Sequence, residues 1–270
     1  MTNYEFLDRL SGAPSDVVNP NGLAFIICTV VPFLYLIGGL SRKGLLVSVL
    51  IAPACIYALI LTGSRSGVIG LVINFLGIVV KSKRRFIWVL SCVLLAVIGF
   101  PLLTPDMQDR YLSIIGSGEK NAGTAEGRVA GIADNFSVAL RRPIFGYGLG
   151  TTREANANFG SSDQPAHNLF VEVAQELGFV GLAIYIVLLK SIYSGFVKCK
   201  QAYHHQEGSV FLRQMVDAMQ ILLAMNFIFS FASYGLSSYE WYFLGGLSVV
   251  MQRLALETLP KASASQGAME

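Results

Sequence analysis

The sequence predicts an all-α fold, a polytopic bundle of about seven transmembrane helices with a helical extracytoplasmic loop. Charged residues make up 14% of the 270 residues, whereas a soluble domain usually contains about 25%. Residues of the set AVILMFWYC reach 53%, and the mean hydropathy is +0.56. This composition excludes an ordinary soluble enzyme, a nucleic-acid binder with a basic surface and a disordered chain.

Seven apolar segments approach the length of about 20 residues that a helix needs to cross a bilayer. Four precede a long polar stretch and three follow it: 23–40, 45–62, 67–80, 86–103, 177–197, 216–233 and 239–256. The third is short, and the last is amphipathic. We therefore divide the chain into N-terminal membrane segments (1–103), an outer loop (104–166), C-terminal membrane segments (167–256) and a polar cytoplasmic tail (257–270).

The distribution of Lys and Arg predicts the orientation, because short cytoplasmic loops are enriched in both residues. Twelve of the 20 basic residues lie in four clusters: Arg42 and Lys43; Lys81, Lys83, Arg84 and Arg85; Lys190, Lys198, Lys200 and Arg213; Arg253 and Lys261. All four clusters are cytoplasmic if every apolar segment spans the membrane. The N-terminus, the turn at 63–66 and the loop at 104–166 are then outside. The polar N-terminus lacks the layout of a cleavable signal peptide.

The outer loop is predicted to contain helices. Thr104 followed by Pro105 is typical of a helix start. Thr124 is positioned to cap a second helix that runs to about Arg142, where Pro143 stops it. Four apolar residues at helical spacing predict one face of that helix: Val129, Ile132, Phe136 and Leu140. Such amphipathic helices are suited to covering a cavity at the membrane surface.

Two arginines outside are candidate phosphate ligands. Arg65 lies in Thr62-Gly63-Ser64-Arg65-Ser66-Gly67, at the predicted outer boundary. It either extends to the interface as a structural arginine or binds an anion in bidentate fashion. Arg128 is predicted to lie in the first turn of the second outer helix. It is either a solvated charge paired with a neighbouring glutamate or an anion ligand beside a helix N-terminus.

His167 is the only histidine of the predicted outer regions. It either caps the following helix or acts as a general base near neutral pH. Glu172 and Glu176 lie one helical turn apart, where they orient His167 or face water. No nucleotide-binding GxxxxGK[ST], no HExxH and no Cys/His spacing typical of a metal site is present, so the energy for any phosphate chemistry must come from the substrate.

Several motifs in this order together resemble one family, the bacterial O-antigen ligases and O-antigen polymerases. The resemblance covers about 19–256 and rests on Ser64-Arg65-Ser66-Gly67, Gly127-Arg128, Arg142-Pro143-Ile144-Phe145-Gly146-Tyr147-Gly148, His167-Asn168 and Glu176-Leu177-Gly178-Phe179-Val180-Gly181. Family members usually have ten or more spanning helices. The chain is therefore expected to correspond to the C-terminal core of the family, short at its N-terminus.

The resemblance implies an inverting glycosyltransferase of the GT-C-like, membrane-embedded kind, without metal or other cofactor. The implied donor is a glycan on undecaprenyl diphosphate, and the acceptor is lipid A-core or a lipid-linked saccharide. The implied place is the periplasmic face of the bacterial inner membrane, with membrane lipids and no nucleic acid as partners. By position, Arg65 and Arg128 match the family's two arginines, and His167 matches its periplasmic-loop histidine. We expect these three residues to be catalytic. The predicted substrate-binding residues are Arg65, Arg128, Tyr147, Asn168 and Glu172.

Two other functions remain open on the sequence. A transporter or channel fragment would have ionisable residues deep within its helices, but only Lys190 and Asp217 approach such positions, both near segment ends. An inactive truncated homologue would bind the lipid-linked glycan without transferring it. The sequence does not separate ligase from polymerase.

Overall fold

The structure, a computed structural model, describes residues 9–12, 18–115, 122–161, 163, 168–204, 210–231, 235–236 and 238–258. The described chain forms helices and no strand, which confirms the all-helical prediction. The α-helices are α1 (Pro20–Leu40), α2 (Arg42–Leu61), α3 (Arg65–Lys81), α4 (Arg85–Gly99), α5 (Pro105–Leu112), α6 (Ala122–Ala139), α7 (Thr152–Phe159), α8 (Leu169–His204), α9 (Val210–Phe229) and α10 (Tyr239–Thr258).

Four of these helical segments are long and apolar enough to cross a membrane. They are Pro20–Leu40, Arg42–Leu61, Arg85–Leu102 (α4 and the short 3-10 helix that follows it) and Leu169–Tyr203. The remaining predicted spans correspond to α3, α9 and α10. Helix α3 has only 17 residues, and α9 and α10 do not combine the length, hydropathy and low charge that mark the other four. The structure therefore supports a helical membrane protein with at least these candidate spans.

Side-chain caps explain where the first three helices begin. The side chains of Asn19, Ser41 and Ser64 accept hydrogen bonds from backbone N–H groups three residues later, at Gly22, Gly44 and Gly67. These bonds satisfy donors that a helix N-terminus leaves without intrahelical acceptors. The short capped connections leave α1 packed against both α2 and α3.

The two ends of the bundle carry different segments of the chain. At one end, the Leu10 N–H donates to the Leu61 carbonyl, and the Tyr111 hydroxyl donates to the Ile60 carbonyl. The N-terminal segment, the α2–α3 turn and α5 are therefore neighbours. At the other end of α3, Lys81 binds Asp217 of α9. Which end of the bundle faces the outside stays a prediction.

The outer loop differs from the prediction in three ways. Helix α6 begins at Ala122, so Thr124 lies inside the helix instead of capping it, and Arg128 falls in the second turn instead of the first. The helix ends at Ala139, before Arg142. Helix α7 had no sequence signal that we recognised.

In the part of α6 whose side chains are described, the fully buried apolar residues are not those of the predicted apolar face. Phe136 and Leu140 are 42% and 53% exposed, whereas Val138 and Ala139 are buried. Helix α6 packs against α8, and the smaller side chains at 138 and 139 allow the closer approach. Helical spacing alone does not show which of two adjacent apolar stripes meets the neighbouring helix.

Asp217 is expected to stabilise the end of the bundle opposite the α2–α3 turn. Its Oδ1 lies 3.0 Å from Lys81 Nζ and 2.9 Å from Lys200 Nζ. The Asp217 side chain is only 21% exposed. Asp217→Asn would therefore leave two ammonium groups facing each other in a mostly buried site. We expect a loss of about 2 kcal/mol, which thermal unfolding in detergent would measure as a fall in Tm of about 4–8 °C.

The control is Asp163→Asn, because Asp163 pairs with Arg153 where both side chains are about 70% exposed. Exposed pairs contribute little, so this variant should unfold within about 1 °C of the parent. Equal Tm values for the two variants would contradict the stabilising role of Asp217.

Candidate functional site

The turn between α2 and α3 places Arg65 at the start of a helix. Gly63 has φ of +56°, a left-handed conformation that glycine adopts at little cost. Thr62 and Ser64 are fully buried beside it, and the Ser64 N–H donates to Thr62 Oγ1 over 3.2 Å. Arg65 is the first residue of α3, and its Nη1 donates to Ser113 Oγ over 3.1 Å.

Helix α5 and the residues after it cover this turn. Tyr111 Oη donates to the Ile60 carbonyl over 2.9 Å, and Ser113 Oγ donates to the Arg110 carbonyl over 2.7 Å. Burial raises the pKa of the Tyr111 hydroxyl above its ordinary value, and the positive charges of Arg110 and Arg9 oppose that change. The hydroxyl is therefore a neutral donor at physiological pH.

Two further arginines flank the turn. Arg9 Nε donates to the Thr62 carbonyl over 2.7 Å, and its Nη2 donates to Asn21 Oδ1 over 3.0 Å. Burial and, after it, the neighbouring charges of Arg110 and Arg65 together lower the pKa of Arg9 to about 10. Arg9, Arg65 and Arg110 therefore form a positively charged cluster, which we call the arginine cluster.

A second feature is the kink in α8 at Gly178, where φ is +68° and ψ is −175°. The two N–H groups that follow it leave the helical pattern. Phe179 N–H donates to the Pro143 carbonyl over 2.7 Å, and Val180 N–H donates to the Ile144 carbonyl over 3.4 Å. The break therefore occurs where the outer loop meets the helix.

The carbonyls released by the kink accept hydrogen bonds from the glycine-rich turn of the outer loop. Tyr147 N–H donates to the Gln175 carbonyl over 2.9 Å, and Gly148 N–H donates to the Glu176 carbonyl over 2.8 Å. A β-carbon on Gly146 would lie 2.4 Å from the Glu176 backbone. Two sequence motifs that are about 30 residues apart thus form one structural unit.

Tyr147 lies half-buried on the surface of this unit. Its ring packs against that of Phe159 with centroids 5.5 Å apart, and the Arg142 guanidinium lies 5.0 Å from the Tyr147 ring centroid. This geometry is typical of a cation–π contact. The tyrosine is thereby held in one orientation at the surface of the outer loop.

Asn168 and Glu172 bind backbone groups in the structure. Asn168 Oδ1 accepts from the N–H groups of Phe170 and Val171 and so caps the start of α8. Glu172 Oε2 accepts from the N–H groups of the α9–α10 connection, at Gly235 (2.7 Å) and Leu236 (3.2 Å). These contacts show what positions both side chains, while their roles toward a substrate stay predictions.

The described residues do not include the side chains of the other two predicted catalytic residues. Arg128 belongs to α6, but its side chain lies outside what the structure describes, and His167 lies outside the described residues. Their approach to Arg65 stays a prediction. The sequence reasoning missed Arg9 and Arg110, since each directly follows an aspartate in a polar segment, where a solvated charge is ordinary.

Four candidate membrane spans and an arginine cluster at one end of the bundle define an integral membrane protein of the all-helical class. Residues 50–186, half of the chain, match the family model described as O-antigen ligase, and the chain belongs to this family. No curated protein matches it. Membership indicates a glycosyltransferase-like protein with a ligase- or polymerase-like role in surface polysaccharide biosynthesis, acting on lipid-linked saccharides.

Proposed function

We propose that the protein transfers a glycan from undecaprenyl diphosphate to a lipid or saccharide acceptor at the periplasmic face of the bacterial inner membrane. The observation that carries the proposal is the position of Arg65, on a rigid turn at one end of the bundle and within the residues that match the family. The proposed fold is GT-C-like with seven spans, divided at 1–103, 104–166, 167–256 and 257–270.

Arg65 and Arg128 would hold the diphosphate of the donor. A guanidinium group matches two phosphate oxygens at once and stays protonated. As the bond between C1 of the sugar and the phosphate oxygen breaks, negative charge grows on that oxygen. Fixed positive groups placed there in advance stabilise the transition state more than the ground state, which removes the need for a metal.

His167 would act as the general base. Its neutral imidazole accepts the proton of the acceptor hydroxyl while that oxygen attacks C1 from the face opposite the leaving diphosphate, which inverts the configuration. Asn168 and Glu172 follow on α8 and would bind acceptor or donor hydroxyl groups. Tyr147, held by Phe159 and Arg142, would cover the site.

Replacing His167 tests the base assignment. We expect His167→Ala to reduce transfer from a lipid-linked donor by a factor of about 10²–10⁴ in reconstituted membranes, with an unchanged Tm. The matched control is His204→Ala, because His204 ends α8 far along the same helix and should not affect transfer. Near-normal transfer by His167→Ala would remove the base assignment.

Complementation separates the two forms of the proposal. In a strain without its O-antigen ligase, restored attachment of glycan to lipid A-core would identify a ligase. In a strain without its polymerase, restored glycan length would identify a polymerase. Binding of the lipid-linked glycan with no transfer in either strain or in reconstituted membranes would instead identify a non-catalytic binding or transport protein.

A further inference from the structure

We propose that Arg9 and Arg110 belong to the same anion-binding site as Arg65, so that three guanidinium groups from separate segments bind one diphosphate. The identity of the anion rests on the proposed function, whereas the binding of a diphosphate group by these residues is tested independently of it. Arg110 lies within the residues that match the family, and Arg9 lies outside them.

The geometry brings all three side chains to the α2–α3 turn. A β-carbon on Gly63 would lie 3.5 Å from Arg9 Nε and 3.6 Å from Arg110 Nε, so these two guanidinium groups flank the same glycine. Arg65 follows two residues later, and its guanidinium reaches Ser113, three residues after Arg110. The N-terminal segment, the turn and α5 thus each supply one arginine.

One donor of the arginine cluster has no acceptor among the described residues. Arg110 Nε is buried and makes no hydrogen bond within the described part of the chain. A buried donor left in this state is costly, and a charged one more so. An anion bound between Arg110 and its neighbours would accept this hydrogen bond.

The electrostatics favour the same conclusion. Like charges in a half-buried site repel each other more strongly than in water. Burial and, after it, this crowding by Arg110 and Arg65 lower the pKa of Arg9. A diphosphate carries at least two negative charges and several acceptor oxygens, so its charge and its geometry both match a cluster of guanidinium forks.

The Gly63 turn contributes to the same site. A residue with a side chain would be strained at position 63, because φ there is positive. Arg9 is fixed by bonds to the Thr62 carbonyl and to Asn21, and Arg65 is fixed by its bond to Ser113. Preorganised donors of this kind bind an anion with little loss of side-chain entropy.

The test is a titration of the purified, full chain in detergent with inorganic pyrophosphate, in which isothermal calorimetry measures binding. We expect Arg110→Gln and Arg9→Gln each to weaken binding by a factor of about 10–100, and Arg110→Lys to weaken it less. The matched control is Arg153→Gln, since Arg153 is an exposed arginine paired with Asp163. The Arg153→Gln protein should bind pyrophosphate with the affinity of the parent. Thermal unfolding of each variant monitors folding, and Arg110→Lys serves if Arg110→Gln does not fold.

Two other titrations identify the source of the phosphate group. Farnesyl diphosphate should bind at least as tightly as pyrophosphate, with the same loss in Arg110→Gln. Mixed micelles of phosphatidylglycerol should bind more weakly. Equal affinity for phosphatidylglycerol would make an ordinary phospholipid headgroup the occupant and would overturn the assignment to a diphosphate.

The outcome for the arginine cluster is separable from that for glycan transfer. Normal pyrophosphate affinity in Arg110→Gln and Arg9→Gln, or no binding by the parent, would overturn the inference even if the protein transfers glycan. Conversely, arginine-dependent pyrophosphate binding without any glycan transfer would sustain the inference and remove the proposed function.

Discussion

Arg65→Ala should reduce glycan transfer by a factor of about 10²–10³ while the protein remains folded. The reason is that removal of one preorganised group that stabilises developing negative charge typically costs this much. Arg65 is the first residue of α3 and its side chain is only partly buried, so truncation leaves no closed cavity. The measurement is initial transfer rate in reconstituted membranes at saturating donor.

The matched control for Arg65→Ala is Arg42→Ala. Arg42 is also the first residue of a spanning helix that follows a serine cap, but it lies at the opposite end of the bundle. It should retain transfer within about twofold, because charges more than about 10 Å away are largely screened by salt. A similar loss in both variants would show that Arg65 acts through folding or insertion instead of through the substrate.

Gly178→Ala should destabilise the fold by more than about 4 kcal/mol, an exceptional effect for a single methyl group. The φ and ψ values of Gly178 are disfavoured for any residue with a side chain, which alone costs about 1–3 kcal/mol. In addition, a β-carbon would lie 2.2 Å from the Ile144 carbonyl oxygen. The backbone of 143–148 would have to move, and its hydrogen bonds to α8 would be lost.

The measurement is Tm and the yield of monodisperse protein in detergent, with Gly246→Ala as the control. Gly246 lies within α10 and has no atom within 4 Å of a built β-carbon, so alanine there should be neutral or stabilise by up to about 1 kcal/mol. A Gly178→Ala protein that unfolds at the parental temperature would contradict the proposed rigidity of the kink.

Hydropathy predicted the long helices because burial in lipid requires an apolar sequence over the whole length of a span. Every predicted segment coincides with most of one helix. The kink at Gly178 was not predicted, since it depends on hydrogen bonds from residues about 30 positions earlier. Helix α7 is short and polar, and its position depends on contacts such as that between Thr152 Oγ1 and Glu176 Oε1 (2.6 Å).

The candidate site was predictable only in part for a related reason. Arg65 stood out because an arginine between two apolar segments is costly. Arg9 and Arg110 occur in polar segments where charge is common, and only the packing of α5 and the N-terminal segment on the turn brings them to Arg65. The bonds of Glu172 to Gly235 and Leu236 likewise depend on tertiary structure.

The exchange of hydrogen bonds between the kinked helix and the glycine-rich turn has a consequence for how the chain can vary in length. Each of the four exchanged bonds requires a fixed register between 143–148 and 175–180. One inserted or deleted residue in either segment would separate these peptide groups from their hydrogen-bond partners. Natural length variation among related chains is therefore expected to fall elsewhere in the outer loop.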